Sequence, residues 1–174
     1  MILKKRRIPL LLAGLAVIAA ASAGYALGGQ NGGNEAQALG ARQAEVAAKS
    51  RRVMPFDLER TTHRFTKWAT GGLQTVTADD PADAQQVTLI REHLTEEAVG
   101  FSKGDYVDPA SIHGGKMPGL QELEAGHDRI DIRYAEAPAG AQITYTTSDP
   151  ALIKALHAWF DAQVTDHGQH AEHG

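Results

Sequence analysis

Eight histidines stand in a chain of 174 residues that has no cysteine. With thiolate absent, imidazole is the strongest borderline donor left, and any metal has to be held by His, Met or carboxylate. His93 lies one residue from Leu94 and three from Ile90, with Glu97 four residues further on; His157 sits the same way beside Leu156, with Asp161 four on. On a helix each pair shares a face, so each carboxylate can orient its imidazole from behind. His113 opens the run His-Gly-Gly-Lys-Met, which places Met117 in the same glycine-bearing loop. Thioether suits Cu(I), and imidazole suits zinc or either copper state. His63 belongs to a β-rich stretch next to Arg64. The expected metal ligands are therefore His63, His93, His113, Met117 and His157, with Glu97 and Asp161 behind them and copper or zinc as the ion. The end of the chain, with His167, His170 and His173 at every third position, is expected to capture metal weakly as a flexible arm. Beside each reading stands a plainer one: a histidine packed at a helix interface, an Ω-loop at 112–119, and a solvated terminus.

Other chemistries find little here. Gly114-Gly115-Lys116 lacks the strand and the spacing of a phosphate-binding loop, and Ser102, Ser111 and Ser148 sit on no Gly-x-Ser-x-Gly elbow. The net charge of −4 hides an asymmetry: residues 1–52 hold eight Lys/Arg and two Glu, and the remainder hold nine and nineteen, a balance of −10. An acidic folded part argues against nucleic acid and favours cations or a basic partner.

Lys4, Lys5, Arg6 and Arg7 precede an apolar run from Ile8 to Leu27 with no charge. That is the pattern of an export signal, with Ala21-Ser22-Ala23 as a small-x-small cleavage site; the run is equally long enough to remain as a membrane anchor. Residues 1–27 are thus expected to be a signal peptide or anchor, and the location extracytoplasmic, periplasmic or at the cell surface. Residues 28–55 read as a flexible glycine-bearing linker with a short helix over 35–49, residues 56–167 as the folded domain, and 168–174 as the His-rich tail.

Within the domain, Thr61–Trp68 and Leu73–Ala78 are rich in β-branched and aromatic residues about a Gly-Gly turn, which predicts a hairpin. Asp80-Pro81 predicts a helix cap, and the periodicity of Val87, Ile90, Leu94, Ala98 and Phe101 carries that helix to about Ser102. Residues 105–126 read as loop with one turn of helix near 120–124. A second hairpin follows over 130–134 and 142–147, and Asp149-Pro150 caps a second helix, 150–164. The order ββαββα predicts an α+β fold, a four-stranded antiparallel sheet with two helices on one face, in a permuted ferredoxin-like plan. Its edge strands could pair two copies into a dimer.

The segments Thr61-Thr-His-Arg-Phe-Thr-Lys67, Gly71-Gly-Leu-Gln-Thr-Val76, Asp79-Asp-Pro-Ala-Asp83, Ile90-Arg-Glu-His-Leu94, Ile112-His113, Met117-Pro-Gly-Leu120, Ile143-Thr-Tyr-Thr-Thr147 and Leu156–Gln163 through Asp166-His-Gly168 resemble a family of small bacterial proteins that carry the label aspartate carbamoyltransferase. The resemblance runs over about 60–168. The Ser-Thr-Arg-Thr and His-Pro-x-Gln segments of the enzyme of that name are absent, so the resemblance implies a coherent domain with His63, His93, His113, Met117, His157 and His167 at motif positions. Three functions follow as expectations: an exported metal-binding accessory protein first, a non-catalytic membrane-tethered interaction or sensor domain with an unidentified partner second, and a transferase consistent with the label third.

Overall fold

The computed structural model describes residues 22–174. The chain separates into two units, 1–37 and 38–174. Helix α1, Ser22–Val53, runs from the described part of the first into the second. The 28–55 region is therefore helical almost throughout, and the second unit begins at Ala38 rather than at Phe56. Val46 and Ser50 of α1 are 1% and 0% exposed. Burial of Val46 offsets the helix-weakening effect of Gly40, which has open space around it. The basic and apolar segment up to residue 21 lies outside the described residues, and among those described no helix is long and apolar enough to cross a membrane.

The fold is α+β. Strands β1 (Thr61–Trp68) and β2 (Gly71–Ala78) form the first hairpin, and β3 (Asp131–Ala137) and β4 (Gly140–Thr146) the second. β2 and β4 pair antiparallel in the middle, and the sheet order is β3-β4-β2-β1-β5. The fifth strand corrects the four-stranded expectation: Ala171–His173 forms β5, parallel to β1, so the sheet is mixed. The residues after 167 are thus a 3-10 turn and an edge strand, held further by the Arg64–Glu172 ion pair. Gly140 makes the central pairing close, since a Cβ there would sit 2.0 Å from the Val76 carbonyl oxygen.

Helices α2 (Ala84–Phe101) and α5 (Pro150–His167) bury their apolar stripes, with the inward residues of the sheet, in one core around Trp159, Phe160, Phe65 and Phe101. The cap of α5 is Asp149, whose carboxylate accepts from Ala151 N–H. The cap of α2 is Asp83, not Asp80: Asp83 accepts from Gln86 N–H, while Asp80 closes a turn onto Ala82 N–H. Both aspartates can cap, and only the second leads into the buried periodicity. The expected turn of helix near 120–124 is α4 (Leu120–Gly126), and the rest of the expected loop at 105–126 holds a further short helix, α3 (Val107–His113). Pro109 is tolerated because it lies in the first turn of α3, where no intrahelical acceptor is lost. Gly119, at φ +78, opens α4 against Ala155 of α5.

Candidate functional site

Five elements deliver polar side chains to one small space. β1 places every second residue inward, which buries His63 between Thr61 and Phe65. β2 adds Gln74, α2 adds His93 and Glu97 from one face, α3 ends on His113, and the last turn of α5 adds His167, while Asp166 of that turn and Arg42 of α1 stand behind His113, outside the cavity wall. His63, His93, His113, His167, Glu97, Asp108 and Trp159 line a cavity of about 30 Å³, room for one water or one ion.

His113 is the most constrained ring. Its Nδ1 lies 2.8 Å from Asp166 Oδ2, and the side chain is 1% exposed. Arg42 donates from Nε and Nη2 to the same carboxylate at 3.0 and 2.5 Å, and from Nη2 to the His113 carbonyl at 2.7 Å. Burial would raise the Asp166 pKa, but hydrogen bonds from His113 and Arg42 outweigh it and hold the carboxyl down at about 2. The hydrogen bond to Asp166 in turn raises the Arg42 pKa. An ionised carboxylate only accepts, so the proton of this hydrogen bond sits on His113 Nδ1, and Nε2 is left for another partner.

Burial disfavours the charged form of three further imidazoles, His63, His93 and His167. Burial, and then the neighbouring His93, push His63 down to about 4. Burial, followed by His63 and His113, lowers His167 well below the ordinary value, and burial lowers His93. Neutral imidazole is the form that ligates metal. The rings of His63 and His167 are stacked, 5.2 Å apart and 6° from parallel, and His113 meets His167 edge-on at 4.9 Å. His93 lies edge-on to Phe56, with its Nε2 4.0 Å from Glu97 Oε1. Burial, followed by the charges of Asp108 and Asp105, pushes Glu97 up to about 8. Two buried nitrogens in the cavity wall have no hydrogen-bond partner among the described residues, His63 Nδ1 and Trp159 Nε1. A buried polar atom left so costs about 1–3 kcal/mol, so a site that satisfies it is stabilised by what it binds.

Of the sequence candidates, His63, His93, His113 and Glu97 meet here, joined by His167, which the sequence placed in the tail. Met117 does not: it packs in the core at 6% exposure and borders a separate surface pocket. His157 does not either, because its Nε2 lies 3.1 Å from the Trp68 carbonyl and 2.9 Å from that of Gly71, where it closes the first hairpin. Asp161 pairs with Lys67 instead of standing behind His157. His170 faces Glu59 at 3.5 Å and His173 faces Asp161 at 3.8 Å, both outside the cavity wall. Arg42, Asp108 and Asp166 had gone unnoticed. Among the described residues no three His, Asp or Glu side chains already converge to hold a metal ion. Compared with family models, curated proteins and solved structures, the chain matches none.

Proposed function

We propose that the protein is an exported metal-binding accessory protein, with His113, His167 and His63 as the ligands of one ion and His93 beside them. The observation that carries the reading is the Arg42–Asp166–His113 chain: a carboxylate fixes one ring nitrogen and leaves the other free at a buried cavity, the arrangement that commonly stands behind metal-bound histidine. With Met117 outside the cavity the donors are all nitrogen, which favours Zn(II) or Cu(II) over Cu(I). Loading requires the stacked His63 or His167 ring to turn about its side-chain torsions, and the space of about 30 Å³ takes the ion. The four cations before the apolar run of residues 8–27 support export.

Calorimetric titration of residues 38–174 with Zn(II) and Cu(II) tests this. One ion bound per chain, lost in His113→Ala and weakened about 10- to 100-fold in Asp166→Asn, is the expected result; binding unchanged in both variants overturns it. Bound metal also raises Tm, since it binds only the native state. The second reading, a non-catalytic interaction domain, draws on β3, whose outer edge has no strand beside it among the described residues.

A further inference from the structure

An ion held by imidazoles satisfies only one of the two partnerless nitrogens in the cavity wall. His63 Nδ1 can meet it with a lone pair, whereas Trp159 Nε1 carries a fixed proton and only donates. Trp159 is 0% exposed and packs edge-on against Phe101, Tyr106 and Tyr145, so its indole has no water to turn to and little freedom to turn. The wall offers it no acceptor. The Gln74 oxygen accepts from the Tyr145 hydroxyl at 2.9 Å, and Trp159 donates to neither Glu97 nor Asp108, the carboxylates of the same wall. A buried donor left in this way is destabilising, and whatever brings a lone pair to it is bound more tightly for doing so.

We infer that the ion in this cavity keeps one position for a small exchangeable ligand, water or a small monoanion, and that Trp159 Nε1–H holds that ligand by donating to it. The position exists only if the metal-binding reading above holds. His63, His113 and His167 with one such ligand complete the tetrahedral set that Zn(II) prefers. His93 is the competing occupant of the fourth place, but its ring lies edge-on to Phe56 and its Nε2 faces Glu97 at 4.0 Å. The cavity of about 30 Å³, enlarged by the space that a stacked ring leaves as it turns, limits the ligand to the size of azide or less. Three protein ligands and one open position mark a site where an ion reacts or exchanges, and a closed set marks one where it only holds a fold together. An accessory protein that passes its ion on needs the open kind, because an incoming ligand can then bind before a histidine leaves.

The test uses the full chain loaded with Co(II), whose visible bands report its ligands, and azide as the small anion. Azide is expected to shift the bands and to saturate. In Trp159→Phe, which keeps an aromatic ring in the core, azide is expected to bind about tenfold more weakly while Co(II) affinity stays within about threefold. Azide affinity unchanged in the variant, or both affinities lost together, overturns the role of Trp159. A second measurement needs no variant: in the Zn(II)-loaded chain, azide moves the indole proton resonance of Trp159 and leaves that of Trp68, which is 40% exposed, where it was. An unmoved Trp159 resonance overturns the same role even where the variant does not fold. Co(II) bound with bands that ignore azide overturns the open position and leaves the metal-binding reading standing. If no Co(II) binds, that reading fails and the position with it.

Discussion

The first hairpin presents β1 on its outer side, where β5 flanks it, while the second presents β3 with no strand beyond it among the described residues. Each hairpin leads to an aspartate-capped helix of eighteen residues, so the local plan is shared. What differs is burial. Thr61, His63 and Phe65 of β1 are 1–3% exposed, whereas no residue of β3 is fully buried. A strand covered by helices and bordered by a further strand can take imidazoles out of water and hold them neutral; an open edge strand cannot. The chemistry gathers where α1, α3 and β5 add to the common plan.

The strongest way to break this comparison is to truncate one residue in each of β1 and β3. Phe65→Ala is expected to cost about 3–5 kcal/mol, and Tyr134→Ala, half-buried on β3, less than about 2 kcal/mol; equal shifts in denaturant midpoint would show that the strands are buried alike. Acid comes next. The His63 pKa falls from 6.5 in the ordinary state to about 4 in the fold, so the native state binds fewer protons across that window. Its contribution is full above pH 6.5 and lost as pH falls through about 4, on the order of 3 kcal/mol. Urea melts of the unaltered chain and of His63→Gln at pH 7 and pH 5 check this, and the variant is expected to lose less. Glu97 has the opposite sign: its pKa rises from 4.5 to about 8, so its contribution is present below pH 4.5 and is lost as pH rises through about 8. Glu97→Gln flattens that decline.

Smaller effects sharpen the contrast further. Arg42→Met leaves the part-buried Asp166 without its guanidinium and is expected to cost about 1–3 kcal/mol. Arg133→Met breaks the pair with Asp131 on β3, whose side chains are 76% and 54% exposed, and should stay within about 0.5 kcal/mol. Thermal melts of the two read the difference directly. Between these two lies His157→Ala, expected to lose about 1 kcal/mol of hairpin closure with zinc affinity unchanged. A fall in zinc affinity there would return His157 to the ligand set.

Both hairpins and α5 were legible because β-branched runs, Gly-bearing turns and an Asp-Pro cap all agree locally. α3, seven residues long, is too short to show a period, and α4, of the same length, was legible only as a single turn. At the site, His63 is legible from strand alternation and His93 with Glu97 from helical spacing. His157 and Asp161 have the same spacing and yet serve the hairpin and Lys67. Spacing says which residues share a face, and only the tertiary packing says what that face meets. Arg42 gave no local signal, because its partner Asp166 lies 124 residues away. The adjacent pair Asp166-His167 was visible but read as the edge of a tail, since the regularity of His at every third position drew attention away from the helix that ends there.

That long separation also orders events in time. A chain that emerges from its N-terminus has its first hairpin and Arg42 long before the end of α5 exists, so the histidine cavity stays open until His167 arrives, and Asp166 beside it reaches His113 only then. Until then His113 lacks the carboxylate that fixes its tautomer. The cavity therefore closes late, with only the final turn and edge strand β5 still to come, and a chain that stops short within α5 would carry both hairpins without a closed histidine cavity.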